Sequence, residues 1–396
     1  MAIPRQALSR WHALDLDEAV ALRAWALKAL SAEHGNAGGL DPPPIAAATT
    51  WESFLEVEGC AIALSRLRTA VPRAVATDAG TAIEAWATIA LKRVLAARAQ
   101  LRDLGELAGR LGRQVIALKG AVSVARGHDL ELDDIDLLIR PEEADGFAHA
   151  LDASGYHATG GASPRHLGTR VLPGGLGVEL HVTLHRYGRA ASEELWSSTT
   201  PLDGSPGLQR LDALEHAWHV LTHIAIDHPD RRGRIRDLLL ITDACADCSS
   251  YQIRALRRRI SEHPYRDELE RLQRMARSLA EGPPVVDEYQ RLAAVGYSLR
   301  SVLDRLRLPD WIVTKTWRWA FAFLGSRADR REVLAETTER CLAPSRYRII
   351  YWVEQRAPRL GQAWRVFLRL ARLPVVIVIA IVLTGLARYQ LRRSGL

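Results

Sequence analysis

Lysine is scarce in this chain. It occurs only at positions 28, 92, 119 and 315, so arginine carries nearly all the positive charge and Lys119 stands out. Cysteine is scarce too, with Cys60, Cys245, Cys248 and Cys341 alone, and their spacing excludes a disulfide framework. The opening "MAIPRQALSR" lacks the apolar core of a signal peptide. Together these features lead us to expect a reducing, cytoplasmic setting. No internal repeat or low-complexity tract is visible, so a solenoid is not expected. Long apolar runs are almost absent as well. The exception is "LPVVIVIAIVLTGLA" at 373–387.

The 396 residues carry a formal charge of +7, and 48% of them are hydrophobic. That is room for two or three packed units and an ordinary core. The charge is uneven. From Arg346 to Leu396 there are ten arginines and one glutamate, leaving the rest of the chain slightly acidic. A basic excess confined to one end points to a surface-binding tail, not to a body wrapped in nucleic acid.

Along the chain, residues 1–100 read as a helical region, with Ala and Leu at three- and four-residue spacing in "LDEAVALRAWALKALSAEHG" and "WESFLEVEGCAIALSRLRTAV". A further helix is expected from Ala82 to about Leu111, broken near Gly105 or Gly109. The texture changes over 101–190. "QVIALKG" and "DIDLLIR" read as strands, "AVSVARG" as a short helix, and "PEEADGFAHALDASG" as a helix with Pro in its first turn and Gly155 to stop it. "GTRVLPGG" and "VELHVTLH" (178–185) read as a strand pair. Helices return over 205–370, one of them capped by Asp212. The tail segment 373–387 is flanked by Arg365, Arg369, Arg372, Arg388, Arg392 and Arg393. As a helix it would reach roughly 22 Å against about 30 Å of hydrocarbon. A membrane contact through 365–393, at the inner face of the cell membrane, and a buried segment both remain open.

The chemistry concentrates in "ELDDIDLLIR". Strand alternation puts Asp134, Asp136 and Leu138 on one face and Ile135, Leu137 and Ile139 on the other. Two carboxylates side by side against a core repel each other, and a divalent cation with hard oxygen ligands resolves the conflict. In "GVELHVTLH", Glu179 and His181 point away from the apolar Val178, Leu180 and Val182. If the two strands are neighbours, Glu179 joins the aspartates in a cage for Mg²⁺ (or Mn²⁺), and His181 lies beside it. Such a site suits phosphoryl or nucleotidyl transfer. "ALKGAVS" ends a strand and starts a helix at once, so Lys119, Gly120 and Ser123 are candidates to cradle a phosphate.

Other patterns are weaker. His216, His219 and His223 share one helix stripe, with Trp218 and Leu221 suggesting packing. Cys245 and Cys248 form a lone CxxC without further ligands. "RALRRRI" (254–260) reads as a solvated basic face.

The combination "LKG…DDIDLLIR…LDASGYH…VELHVTLH" resembles the family of uncharacterised nucleotidyltransferases, within the DNA polymerase β-like superfamily. Leu118, Lys119 and Gly120 stand at its first motif, Asp134 and Asp136 at its second, and Glu179 at its third. "LDALEHAWHVLTHIAID…RIRDLLLITDA", with His216, His223, Arg236 and Asp237, resembles its helical stretch after the core. This chain departs from the pattern by carrying Lys119 where the wider superfamily has Gly, and Glu131 and Leu132 where an Arg often stands. The resemblance implies an α+β fold, a small mixed-sheet nucleotidyltransferase core embedded in a mostly helical chain. It implies two-metal transfer of a nucleoside monophosphate from an NTP, with Asp134, Asp136 and Glu179 catalytic and metal-binding, and pyrophosphate released. The acceptor would be a small molecule, a glycan- or lipid-linked intermediate, or a protein. Abortive-infection-type toxins that modify tRNA share the Lys-Gly and Asp-x-Asp layout and offer one alternative. A catalytically degenerate, membrane-associated scaffold is another.

Overall fold

A computed structural model describes residues 16–32, 48–70, 77–159, 167–184, 193–227, 233–281 and 319–320, and in the C-terminal segment 374, 376–386, 388–389 and 392. The chain divides into two compact units, residues 1–227 with 231–290, and residues 228–230 with 291–396. The first holds the sheet and the acidic motifs.

The first unit opens with helices α1 (Leu16–Ala32), α2 (Ala48–Glu58), α3 (Ala61–Ala70) and α4 (Thr77–Arg110). Strand β1 (Val115–Ala117), helix α5 (Gly120–Ala125), strand β2 (Asp134–Leu138) and helix α6 (Pro141–Ala153) follow. Next come β3 (His157–Ala158), β4 (Arg170–Val171), β5 (Gly177–His181), helix α7 (Glu193–Ser197), β6 (Thr200–Pro201) and β7 (Leu208–Arg210). Helix α8 (Ala213–Thr222) continues as a π-helical turn, His223–Asp227. Helices α9 (Ile235–Ala246), α10 (Ser250–Glu262) and α11 (Arg266–Glu281) complete the described part of this unit. The α+β class expected from the sequence is the one observed.

The strands form one seven-stranded mixed sheet in the order β3-β4-β5-β2-β1-β7-β6. It extends past the expected boundary at 190, because β7 pairs in parallel with β1. Strands β3, β6 and β7 have two or three residues each, too few for alternation to register in a sequence. The strand expected over 178–185 stops at His181. Helices expected from 282 to 370 lie outside the described residues, apart from 319–320.

Local signals hold where they are strong. Pro141 is the first residue of α6, with Glu142 and Glu143 in the first turn where they complement the helix dipole. Asp212 caps α8, its side chain accepting from the Leu214 and Glu215 amides. Ile116, Leu118, Leu138, Trp196 and Leu211 pack into a buried cluster.

The long helix α4 does not break at Gly105. A Cβ there would stand 2.2 Å from the carbonyl oxygen of Pro206, so the glycine lets the turn before β7 lie directly on the helix. Gly207, with φ +91°, completes the close approach from the other side. One turn earlier in α4, Gln100 exchanges two 2.9 Å hydrogen bonds with the backbone of Leu176. Helix α4 thus fixes the start of β5 and the approach to β7. Alanine normally favours a helix interior over glycine by about 1 kcal/mol. At 105 the order should reverse, with Gly105→Ala destabilising by roughly 1–3 kcal/mol through overpacking, read as a lowered midpoint in denaturant unfolding.

Candidate active site

Strands β2 and β5 are parallel neighbours, and Asp136 stands directly opposite Glu179 in their register. Both carboxylates therefore project from the same face, as alternation requires. His181 follows two residues on, and its Nε2 lies 2.7 Å from Asp136 Oδ1 and 3.9 Å from Glu179 Oε2. One ligating atom from each of Asp136, Glu179 and His181 falls within a 4.8 Å span. Two carboxylates and an imidazole fit a divalent cation in both charge and donor type.

Asp134 lies on the same face, level with Gly177. Burial pushes its carboxyl up, the charges of Asp136 and Glu179 add to this, and Lys119 opposes them, leaving it raised to about 7. The electrostatics thus couple it to the other two acids. Asp136 is only 5% exposed. Burial alone would raise it, yet Lys119, the hydrogen bond and charge of His181, and His223 hold it well below the usual carboxylate range.

Lys119 comes from the turn between β1 and α5. Its Nζ donates to Asp136 Oδ1 at 2.8 Å and lies 3.1 Å from His223 Nε2. Burial would lower the ammonium's pKa, but Asp136 and Asp134 raise it above its ordinary value. The backbone here is unusual. Lys119 has φ +51° and ψ −130°, and it alone among the described non-glycine residues has positive φ. The chain needs this turn because β1 passes straight into α5. The Leu118 amide still bonds to the Asp136 carbonyl at 3.0 Å, continuing the β1–β2 pairing, and the helix starts two residues later. Lys119 therefore occupies a glycine-type conformation, at the position where the resemblance led us to expect Gly.

The other two phosphate candidates have different surroundings. A Cβ on Gly120 would meet Leu132 Cδ2 at 2.3 Å, so packing already explains this glycine. Ser123 is 0% exposed and donates to Asp243 on α9, joining α5 to the helices. Helix α5 has only six residues.

Two participants come from far along the chain. His223, 104 residues from Lys119, is presented by the π-helical turn after α8 and stacks at 6.0 Å on His219. Its place on the helix stripe was visible in the sequence, but its partner was not. Arg236 on α9 bonds to Asp133 at 2.7 Å. Its stem packs where Gly59 leaves room, a Cβ at 59 falling 3.0–3.4 Å from it. Burial would lower the Arg236 pKa, but Asp133 and Asp237, and less strongly Asp134, raise it. Arg236 thus places a cation beside the acidic strand where the sequence before Asp134 has none.

His216 is buried, and burial pushes its imidazole down to about 4. Among the described residues, Cys245 and Cys248 join no group of side chains that could hold a metal. Cys248 donates to the Ala213 carbonyl, and burial pushes the Cys245 thiol up to about 12.

A mixed sheet that holds Asp and Glu side by side on parallel neighbours, beneath a Lys-Gly turn, has the form of a nucleotidyl-transfer domain. The chain belongs to the family described as uncharacterised nucleotidyltransferase, matching it over residues 61–281, more than half its length. Comparison with curated proteins and with solved structures returned no match. Membership supports nucleotidyl transfer in general terms and implies an NTP substrate. Nucleotidyltransferases generally use divalent metals.

Both Lys119→Ala and Lys119→Gly lose the ammonium, but only glycine relieves the positive φ. The Gly variant should be the more stable by about 1–2 kcal/mol, and equal unfolding midpoints would show that the turn is unstrained. Asp134, with its ordinary value of 3.8 raised to about 7, keeps its proton longer in the folded chain than in the unfolded one. Its contribution to stability is therefore full below about pH 4 and is lost as pH rises to about 7. For the metal-free protein, the stability of Asp134→Asn relative to wild type should climb across that window and level off above it. Thermal melts at a series of pH values give this difference, and a flat difference would contradict the assigned environment.

Proposed function

We propose that the chain transfers a nucleoside monophosphate from an NTP to an acceptor hydroxyl, dependent on Mg²⁺ or Mn²⁺, with release of pyrophosphate. The single observation that carries this reading is the direct β2–β5 pairing of Asp136 with Glu179, completed by His181 within 4.8 Å. Asp134 and Asp136, from one strand, and Glu179, from its neighbour, would hold the cation. A cation bound there would supply charge stabilisation for the transferring phosphoryl group and lower the pKa of the attacking hydroxyl.

The protein's own groups do the remaining work. Glu179 takes the proton of the acceptor hydroxyl as its oxygen attacks the α-phosphorus. The bond from that phosphorus to the oxygen bridging the β-phosphate breaks, and pyrophosphate departs with that oxygen. Lys119, held between Asp136 and His223, turns its ammonium to the triphosphate. Gly120 belongs to the same turn, and Ser123 supports it through Asp243. His181 orients Asp136 through the 2.7 Å contact.

The acceptor can be a small molecule, a glycan- or lipid-linked intermediate, or a protein. The test is incubation with each α-labelled NTP, Mg²⁺ or Mn²⁺ and cell extract. Wild type should transfer label, and chelation should abolish transfer. Asp136→Asn and Glu179→Gln should each reduce it by about a thousandfold or more, since metal-held charge stabilisation is worth several kcal/mol. Label entering RNA would instead favour tRNA modification. Transfer unaffected by either substitution would remove this site from the reaction, and failure to bind NTP and metal would favour the degenerate scaffold.

A further inference from the structure

The second unit carries a helix that the transfer reaction leaves unexplained. Residues 376–386 are helical, as are 388–389 and 392. One side is buried, namely Val376, Ala380, Leu383 and Thr384. Thr384 sits against the helix's own unit, its hydroxyl within 3.3 Å of the Ala320 carbonyl and 2.7 Å of the Ala380 carbonyl. At 100° per residue, the opposite side holds Val378, Ile381, Val382, Leu386 and Tyr389. These are 59%, 55%, 54%, 43% and 66% exposed. A helix that packs one stripe and leaves a second aliphatic stripe in water is expected to have an occupant for it.

Three observations choose among occupants. The charge is the first. Arg388 and Arg392 are exposed just beyond the stripe, and residues 346–396 hold ten arginines against one glutamate. A second copy would bring the same positive field against itself, whereas an anionic lipid surface complements it. Packing is the second. One stripe of the helix is already held against its own unit, through Val376, Ala380, Leu383 and Thr384, which suits a helix lying on a surface and not one surrounded by lipid. No described helix is long and apolar enough to cross a membrane. The third is residue type. Aliphatic side chains with Tyr at the end and Arg flanking them match a helix that lies in the headgroup boundary.

We infer that the 376–386 helix docks the protein on an anionic bilayer surface, lying in the plane of the interface with Val378, Ile381, Val382 and Leu386 inserted. This docking is independent of the transfer chemistry proposed above.

The test mixes the purified full chain with vesicles of phosphatidylcholine, alone or with added phosphatidylglycerol, and separates bound from free protein by flotation. Wild type should float with the anionic vesicles and not with the neutral ones. Alkaline carbonate should release it, as it would not release a spanning helix. Ile381→Glu with Val382→Glu should abolish flotation. Arg388→Glu with Arg392→Glu should weaken it by at least about fivefold per position, near 1 kcal/mol for each basic residue at the surface. Ile381 and Val382 are exposed, so far-UV circular dichroism and the thermal midpoint of their double variant should match wild type, showing that lost binding is not lost folding. The inference is overturned if wild type ignores anionic vesicles, if the Glu variants float as well as wild type, or if carbonate leaves it in the membrane. It is also overturned if the stripe instead supports a dimer in light scattering that Ile381→Glu with Val382→Glu breaks.

Discussion

Asp136 is nearly sealed from solvent, with Glu179 directly opposite on the next strand and Asp134 two residues back on the same face. Carboxylates 4–5 Å apart repel by about 3–4 kcal/mol at an effective dielectric near 20. Burial adds a cost for any charge that stays ionised. This repulsion is the constraint around which the rest of the unit is organised. Lys119 and His181 both meet the same oxygen, Asp136 Oδ1, and so compensate the most buried of the three acids. Asp134 has less compensation and holds its proton up to about 7. The three acids are thus held together against their mutual repulsion, a conflict that a divalent cation taking the carboxylates would relieve.

Strands of two to five residues cannot hold such a face in place alone, so helices on either side in sequence do it. Gln100 in α4 fixes the backbone that leads into β5, and Gly105 seats the turn that leads into β7. From the other side, Ser123 bonds to Asp243. Asp247 receives Arg126 from α5's end and Arg210 from β7. Arg236 fixes Asp133 at the mouth of β2, while Glu58 caps α9 through the Ile235 amide. The family match over 61–281 follows the same logic. The sheet and its acids become a site only together with the helices before and after.

The parts legible in the sequence share one property, in that their signal is local. Alternation placed Asp134 and Asp136 on one face, and the Glu179 strand declared its apolar side through Val178 and Leu180. Pro141 and Asp212 marked helix starts because their chemistry acts within a turn of themselves. What stayed hidden depends on distant partners. Gly105 looks like a helix break until Pro206 is laid on it. Ser123 looks free for a phosphate until Asp243, 120 residues away, takes its hydroxyl. His223 reads as one of a packed stripe until a π-helical turn brings it to Lys119. The edge strands β3 and β6 have no pattern of their own to read, being made by pairing with neighbours.

Lys119 depends on both its local backbone and its distant partners. Its backbone is in a conformation that favours glycine, so any side chain there carries a cost that the turn would otherwise avoid. The chain accepts that cost for a lysine, in a sequence that uses arginine almost everywhere else. The geometry gives a reason. The ammonium must fit between Asp136 Oδ1 at 2.8 Å and His223 Nε2 at 3.1 Å. A compact point charge with rotatable donors can meet both partners and still swing toward a phosphate. A planar guanidinium, rigid across its five donors, would demand a wider opening than these two partners leave. The strained turn and the rare residue are therefore one feature, a cation set where three carboxylates most need it.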